Sequence, residues 1–160
     1  SAIDKWIYRI NELKTKYHIL VTLHPKMSKK YQTIVSAYSD IYQIKHEILK
    51  YLQMADIMIS DTSSIIAEFC SLDKPIITFR ISPGKRLSNE IFQMLNEISY
   101  RIDSFEELKS VLPIALKNRN EFSENRRKWN RILFYKLDGK AGKRAAKEIK
   151  KLMRPQGGKR

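Results

Sequence analysis

The sequence of 160 residues predicts an α/β protein with a Rossmann-like parallel sheet that carries helices on both faces. Segments whose apolar residues follow a helical period alternate with short apolar runs along the chain. The short runs contain few polar residues, which is typical of strands buried on both faces of a parallel sheet. The length favours one domain, expected over residues 1–153, with a disordered basic tail at 154–160.

The first half of the chain contains three predicted helix-and-strand units. Apolar residues recur at helical spacing from Ile3 to Tyr17, and the β-branched run that follows ends at His24-Pro25, because proline disfavours a helical residue before it. The third helix is expected to turn its apolar side chains inward, namely Ile48, Leu49, Leu52 and Met54. The predictions, in order, are a helix at 3–17, a strand at 18–23, a helix at 26–36, a strand at 40–44, a helix at 47–55 and a strand at 56–60.

The second half continues the alternation and closes with two basic helices. Asp103 or Ser104 is expected to cap a helix with an acidic first turn, and Pro113 is expected to kink or split that helix. Cys70 is the only cysteine, and its apolar helical context predicts a buried thiol. The predictions are a helix at 63–72, a strand at 76–79, a loop at 82–86, a helix at 89–95, a strand at 98–102, a helix from 103 or 104, and helices at 122–134 and 141–153.

The formal net charge of +14 is concentrated in the last quarter of the chain. Residues 117–160 hold 16 Lys and Arg against 4 Asp and Glu, whereas residues 1–116 hold 15 against 13. This asymmetry predicts an anionic partner (a phosphorylated polymer, nucleic acid or acidic lipid) or else a merely solvated helix face. Trp129, Phe134 and Tyr135 fall at helical spacing here and are expected in the core. No apolar run approaches the roughly 20 residues that span a bilayer, so we expect a cytoplasmic protein.

Four hydroxyl side chains and a carboxylate, "SDTSS", follow the predicted strand at 56–60, where the next helix begins. Ligands of open α/β sheets bind beyond the carboxyl ends of the strands, and the first amides of a helix lack intrahelical partners. Small hydroxyl residues let a phosphate approach those amides and add further donors. The same residue types are preferred helix N-caps. The residues alone leave both interpretations open for the cluster: Asp61, Thr62, Ser63 and Ser64.

Two further polar residues are expected at the same end of the sheet. His24 directly follows the strand at 18–23, where it is either a ligand contact or a surface histidine fixed in a turn. Glu68 comes one helical turn after Ser64 in an apolar segment, so it is either exposed or turned toward the cleft, where it would accept hydrogen bonds from ribose hydroxyls. His46, in a loop before a helix, is a weaker candidate.

Several familiar motifs are absent from the sequence. It has no Gly-rich phosphate loop of the GxxxxGK[ST] or GxGxxG type and no GxSxG elbow. It has no HExxH motif and no Cys/His cluster, so neither a metal site nor a cofactor is predicted. No helix-turn-helix, RNA-recognition or zinc-finger signature accompanies the positive charge, so nucleic acid is not the expected partner.

Three segments together resemble the CDP-glycerol glycerophosphotransferase family, whose members build teichoic-acid-like polymers. They are "LHP" after a strand, "ADIMISDTSSIIAEFCSLDKPIITF" at 55–79, and "LDGKAGKRAAKEI" near the end. The resemblance covers residues 18–153 and implies the C-terminal, donor-binding domain of a glycosyltransferase-B fold. It also implies an N-terminal domain, absent from this sequence, whose histidine would act as base.

The resemblance implies transfer of glycerol phosphate from CDP-glycerol, or another CDP-linked alditol, to an acceptor hydroxyl with release of CMP. His24 would stabilise charge on the leaving phosphate, Thr62, Ser63 and Ser64 would hold the donor pyrophosphate, and Asp61 would shape the loop.

The resemblance places the nucleoside as well. Glu68 would bind the ribose. The cytosine would lie near three residues: Ile44, Lys45 and Glu47. The family often has a basic residue two positions before the histidine, where Thr22 stands here, so Lys26 is a candidate to supply that phosphate contact.

The implied partners are the CDP-linked donor, an anionic polymer acceptor and the anionic inner face of the cell membrane, where the basic C-terminal helices would hold a peripheral protein. Two alternatives are a nucleotide-sugar glycosyltransferase domain and a basic nucleic-acid-binding or membrane-binding module without chemistry. The first would more often show glycines near Ser63, and the second is favoured only by the charge.

Overall fold

The fold alternates parallel strands with helices over the residues that the computed structural model describes, which are 2–38, 41–44, 46–81 and 88–153. The strands are Ile19–Val21 (β1), Ile41–Gln43 (β2), Met58–Ser60 (β3), Ile76–Phe79 (β4) and Tyr100–Ile102 (β5). The helices are Lys29–Ser36 (α1), Ile48–Met54 (α2), Ile65–Cys70 (α3), Asn89–Ile98 (α4), Phe105–Lys117 (α5), Ser123–Leu133 (α6) and Ala141–Leu152 (α7). The predicted Rossmann-like α/β class is confirmed. Three predictions lie outside the described residues: the role of Lys45, the loop at 82–86 and the tail at 154–160.

The strands form two parallel ladders where the sequence predicted one sheet. β1 pairs with β2, and β4 pairs with β3 on one side and β5 on the other. Within the described ranges no ladder joins β1 to β3. Residues of both strands instead line an apolar cavity of about 170 Å³, and Val21 of β1 shares a hydrophobic core with Ile59 of β3. Side-chain packing therefore holds the two ladders together.

The three-stranded ladder is buried on both faces. Side chains of a strand point alternately to the two faces of a sheet. Ile77 and Phe79 of β4 pack in one core with Leu108 of α5, whereas Ile76 packs in the other with residues of α3, α4 and α6. All four residues of β4 are buried, as expected of a central parallel strand.

The N-terminal segment is helical, but the predicted single helix at 3–17 is wrong. The segment contains 3-10 helices at Ile3–Lys5 and Ile10–Leu13. Trp6 and Arg9 have φ values of −133° and −120°, which lie outside the helical range and interrupt the hydrogen-bond pattern. The apolar spacing still places one set of side chains in the core: Ile3, Ile7, Ile10 and Leu13.

Helix α2 turns fewer residues toward the core than predicted. Ile48 and Leu52, four positions apart, lie on one side and pack into the core. Leu49 and Met54 are 62% and 71% exposed, so the prediction that they face inward is wrong. A helix of seven residues buries only one narrow stripe, and these two side chains lie off it.

Ser104 is the N-cap of α5, since its hydroxyl accepts a hydrogen bond from the Glu107 amide. The Glu107 carboxylate accepts a hydrogen bond from the amide of Asp103, the residue before the N-cap. Pro113 lies inside α5, which continues past it, so the proline does not split the helix. Cys70 is fully buried as predicted, and this burial raises the pKa of its thiol to about 11.

The turn after α3 is tied to α6 through Asp73, whose φ of 53° is left-handed. Its carboxylate accepts hydrogen bonds from Ser123 Oγ at 2.6 Å and from Arg126 Nε at 2.8 Å. Arg126 is fully buried, and its Nη2 also donates to the carbonyl oxygens of Arg119 and Asp73. These bonds fix the position of α6 against α3.

The two C-terminal helices differ in how they meet the rest of the protein. α6 buries Trp129 beside α3 and α4, whereas α7 has no buried residue and so does not close the core. Tyr135 is 81% exposed, so its expected place in the core is wrong. α6 ends before Tyr135 and leaves its ring in the connection to α7, where Lys136 and Arg144 stack on it.

Candidate functional site

A cleft of about 520 Å³ opens at the carboxyl ends of β1 and β3. The segment after β1 lines one side, and the segment after β3 with the first turn of α3 lines the other. The N-terminal segment, α2 and β3 contribute apolar side chains: Ile3, Trp6, Ile48, Met58 and Ile59. This is the position at which open α/β sheets bind ligands.

The cleft brings together most of the site residues predicted from the sequence: His24, Asp61, Thr62, Ser63, Ser64 and Glu68. Ile44 lies apart from them and lines the adjoining apolar cavity, which shares Trp6 and Ile48 with the cleft. Glu47 lines neither space, and its carboxylate pairs with Lys50.

The hydroxyl groups that follow β3 do not cap α3. Ser64 occupies the N-cap position with helical φ and ψ of −58° and −24°, and no side chain accepts a hydrogen bond at this helix start. Within the described part of the chain, the hydroxyls of Thr62, Ser63 and Ser64 and the amides of both serines make no hydrogen bond. Capping therefore does not account for the cluster, and these donors are left for a ligand.

Asp61 accepts hydrogen bonds from two backbone amides. Its Oδ1 accepts from the Thr62 amide at 2.6 Å, and its Oδ2 accepts from the Ala2 amide at 2.8 Å. The first bond holds the loop after β3, and the second ties that loop to the N-terminal segment. The carboxylate thus shapes the hydroxyl cluster.

His24 lies exposed on the opposite side of the cleft. Its Nδ1 accepts a hydrogen bond from the Lys26 amide at 3.1 Å, and its carbonyl oxygen accepts one from the Met27 amide at 2.8 Å. Because Nδ1 is an acceptor, the hydrogen-bond pattern assigns the proton of the neutral ring to Nε2. Nε2 is therefore the nitrogen that donates to a ligand.

Glu68 lies on α3 one turn beyond the hydroxyl cluster and lines the cleft. Its side chain is exposed, and no ion pair holds its carboxylate among the described residues. Thr22 also lines the cleft, whereas Lys26 does not and contributes only its amide to His24. The cleft thus offers hydroxyl, amide and imidazole donors next to a free carboxylate acceptor.

The sequence did not reveal the contribution of the N-terminal segment to the cleft. Ile3 and Trp6 line it, and Ala2 contacts Asp61 across 59 positions of the chain. The apolar periodicity of this segment indicated burial only. No local signal in a sequence specifies which distant loop a buried segment meets.

The described ranges offer neither a metal site nor a helix that could span a membrane. No group of three or more His, Cys, Asp and Glu side chains stands close enough to hold a metal ion. Nor does any helix there have the length and apolar character to cross a membrane.

Comparison with known families gives a match over nearly the whole chain. A family model described as CDP-Glycerol:Poly(glycerophosphate) glycerophosphotransferase matches residues 2–151. The curated proteins and the solved structures yield no significant match. The matched range includes the N-terminal segment that lines the cleft, whereas the resemblance noted in the sequence began at residue 18. The chain therefore belongs to the CDP-glycerol:poly(glycerophosphate) glycerophosphotransferase family.

Proposed function

We propose that this chain is the donor-binding half of an enzyme that transfers glycerol phosphate from CDP-glycerol, or a related CDP-alditol, to the hydroxyl of an anionic polymer. The observation that carries the proposal is the convergence of His24 with the free hydroxyls of Ser63 and Ser64 in one cleft. Family membership supports glycerophosphotransferase chemistry. A facing N-terminal domain would complete the site in a glycosyltransferase-B arrangement, and the product would be a teichoic-acid-like or capsular polymer.

The proposed reaction is a displacement at the β-phosphorus of the donor. An acceptor hydroxyl oxygen forms a bond to this phosphorus and loses its proton to a base of the facing domain. The bond from the phosphorus to the bridging oxygen breaks, and CMP leaves with the electron pair. Such chemistry depends mostly on positioning and on stabilising the charge of the leaving group.

The hydrogen-bond donors in the cleft are suited to stabilising the negative charge of the leaving phosphate. His24 Nε2 and the Ser63 and Ser64 hydroxyls and amides are donors that no protein atom of the described residues uses. Donors already fixed in place need no reorganisation as negative charge develops on the α-phosphate. Asp61, which holds the loop through the Thr62 amide, is a positioning residue in this scheme.

The nucleoside would lie beyond the phosphates. The Glu68 carboxylate, one helical turn from Ser64 in the cleft, would accept hydrogen bonds from the ribose hydroxyls. The adjoining apolar cavity offers Trp6 and Ile44 as surfaces for cytosine. Its volume, about 170 Å³, supports a single pyrimidine ring there.

The Ser63→Ala/Ser64→Ala double variant should bind CMP and CDP-glycerol about tenfold to a hundredfold more weakly than the wild type, because two hydrogen bonds to phosphate are lost. Isothermal titration calorimetry measures both affinities. The matched control is Ser36→Ala/Ser110→Ala, which removes two hydroxyls outside the cleft and should leave both affinities unchanged.

Equal affinities of the Ser63→Ala/Ser64→Ala variant and the wild type would contradict the proposed phosphate site. Titrations with CDP-ribitol and a UDP-sugar in parallel identify the donor. Tighter binding of the UDP-sugar would favour a nucleotide-sugar glycosyltransferase. Salt-sensitive binding to nucleic acid without any nucleotide binding would favour a module without chemistry.

We also propose that α7 holds the protein at an anionic membrane face. Ile149, Leu152 and Met153 are 55%, 86% and 77% exposed and share one side of the helix. Lysines recur on the opposite side, namely Lys143, Lys147 and Lys150. A basic helix with an exposed apolar side is typical of interfacial segments. Arg144 and Lys151 pair with Asp138 and Glu148, so they are less available.

Replacing Lys143, Lys147 and Lys150 by glutamine should weaken binding to vesicles that contain anionic lipid. The expected loss of affinity is on the order of a hundredfold in total, because each lysine contributes about tenfold or less. Co-sedimentation with anionic and neutral vesicles measures the change. The matched control is the triple glutamine variant at exposed lysines of the body: Lys16, Lys29 and Lys117. A similar loss in both triple variants would show that only total charge matters, and no loss would reject the membrane role. Loss of polymer binding alone would assign α7 to the acceptor.

A further inference from the structure

Arg101 of β5 lies on the same face of the sheet as a residue of the cleft. Arg101 pairs in register with Thr78 of β4, and Thr78 pairs with Ser60 of β3. Side chains in register on parallel strands project from the same face of the sheet. Ser60 lines the cleft, so these three side chains form a row that starts in the cleft and runs toward α4.

A chain of hydrogen bonds holds the Arg101 guanidinium over the middle strand of this row. Its Nη1 donates to Thr78 Oγ1 at 2.8 Å, which places the guanidinium over β4. Neighbouring strands lie about 4.8 Å apart, so the charge is one strand away from Ser60. Ser99 Oγ donates to the Leu95 carbonyl at 2.6 Å, so Thr78 donates its own proton to Ser99 and accepts from Arg101.

Arg101 forms no ion pair with a carboxylate in the described part of the chain. Four arginines there are not exposed, and three of them pair with acidic groups: Arg9, Arg126 and Arg144. Arg101 makes no ion pair, and its buried Nε has no hydrogen-bond partner. Burial, and then the charge of Arg80, lower its pKa, whereas the charge of Asp103 raises it by a smaller amount.

A half-buried cation without an ion-pair partner is costly unless a ligand supplies the opposite charge. Guanidinium groups bind phosphate through two parallel hydrogen bonds, and Arg101 has four of its five N–H donors unused among the described residues. Phe92 of α4 lies 6.0 Å from the guanidinium. The row of Ser60, Thr78 and Arg101 leads from this guanidinium to the cleft.

We propose that Arg101 binds a phosphate group of a substrate at the α4 side of the cleft, held ready by Thr78 and Ser99. The inference rests on the proposed function, because it adds a second phosphate contact to the same site. Phosphate is present both in the donor diphosphate and in the diester of a growing acceptor. The guanidinium chemistry is the same for both, so the test has an arm for each.

The test compares Arg101→Gln with wild type by calorimetry, using inorganic pyrophosphate, CDP-glycerol and a short poly(glycerol phosphate) oligomer. Glutamine still donates to Thr78 but has no charge, and affinity should fall about tenfold to a hundredfold. Arg101→Lys should recover part of the loss. The matched control is Arg80→Gln, which removes an exposed arginine that directly follows β4 and already pairs with Asp103. Its affinities should stay within about twofold.

Chemical modification of the wild-type protein with phenylglyoxal gives a second measurement that does not depend on the folding of a variant. Pyrophosphate should protect Arg101 from reaction, and sodium chloride of equal ionic strength should not. A loss confined to CDP-glycerol assigns the phosphate to the donor, and a loss confined to the oligomer assigns it to the acceptor.

Unchanged affinities in Arg101→Gln, an unprotected Arg101, or a wild type that binds none of the three probes would each overturn the inference. A different result would contradict the proposed function alone. In that result the wild type binds pyrophosphate through Arg101 but binds CDP-glycerol no more tightly than pyrophosphate. Arg101 would then remain a phosphate-binding residue, but CDP-glycerol would not be the ligand of the cleft.

Discussion

Replacing Arg126 by methionine should lower the free energy of unfolding by about 3 kcal/mol, measured by urea denaturation followed by circular dichroism. Methionine fills much of the buried space but leaves the carbonyl oxygens of Arg119 and Asp73 without donors. Losing one partner of a buried ion pair costs about 3–5 kcal/mol, and we expect the lower end. The Asp73 side chain is 30% exposed and keeps its contact with Ser123.

Arg127→Met is the matched control, because Arg127 contacts the same carboxylate from the surface, with a side chain 66% exposed. Its effect should stay within about 0.5 kcal/mol. Equal losses in the two variants would contradict the assignment of the stability to the buried arginine.

The pH dependence of the same pair provides an independent check. Burial opposes ionisation of Asp73, but the hydrogen bonds from Ser123 and Arg126 outweigh it and lower the pKa of this carboxyl below 3.8. A group with a lowered folded pKa stabilises the protein above its unfolded pKa and loses that contribution as pH falls through the folded value. The stability difference between wild type and Arg126→Met should therefore be constant near neutral pH and narrow below about pH 4.

His24→Asn should lower glycerol phosphate transfer, measured as CMP release with the facing domain present, by about a hundredfold to a thousandfold. The asparagine oxygen replaces Nδ1 as acceptor for the Lys26 amide, so the turn is kept. What is lost is the Nε2 donor, and a donor that stabilises a leaving group acts mainly in the transition state. Binding of CDP-glycerol should therefore weaken much less than the rate.

His24→Gln distinguishes the contributions of the two ring nitrogens, because the glutamine amide extends to the position of Nε2 and donates a hydrogen bond there. It should recover part of the rate that His24→Asn loses. His46→Asn is the control, since His46 is an exposed histidine that does not line the cleft. A full rate in His24→Asn would exclude the role of His24 in charge stabilisation.

Local sequence signals were sufficient for the order and type of most elements. The runs around 56–60 and 76–79 are apolar and β-branched. The first contains a strand that is shorter than the run, and the second is a strand over its whole length. Apolar periodicity also identified the buried side of the N-terminal segment. It did not predict the 3-10 geometry there, since this depends on the φ angles of Trp6 and Arg9.

Contacts between distant positions were beyond prediction from one sequence. The segment "LDKP" belongs to the stretch that resembles the family, yet its side chains bind groups far along the chain. Asp73 pairs with Arg126, and Lys74 donates to the carbonyl oxygens of Gln53 and Ala55 at the end of α2. No periodicity encodes a partner that lies about 20 to 50 positions away, because pairing at that range follows from how the elements pack.

The sequence by itself determined the α/β class, the place of His24 and the hydroxyl cluster after two strands, and the resemblance to a transferase family. These rest on local periodicity and on the rule that ligands bind beyond strand ends. Only the tertiary structure decided that the hydroxyls are free instead of capping α3, that the N-terminal segment lines the cleft, and that α7 leaves its apolar side exposed. Each of these depends on which groups the folded chain brings within hydrogen-bonding or packing distance, and a linear pattern carries no such distances.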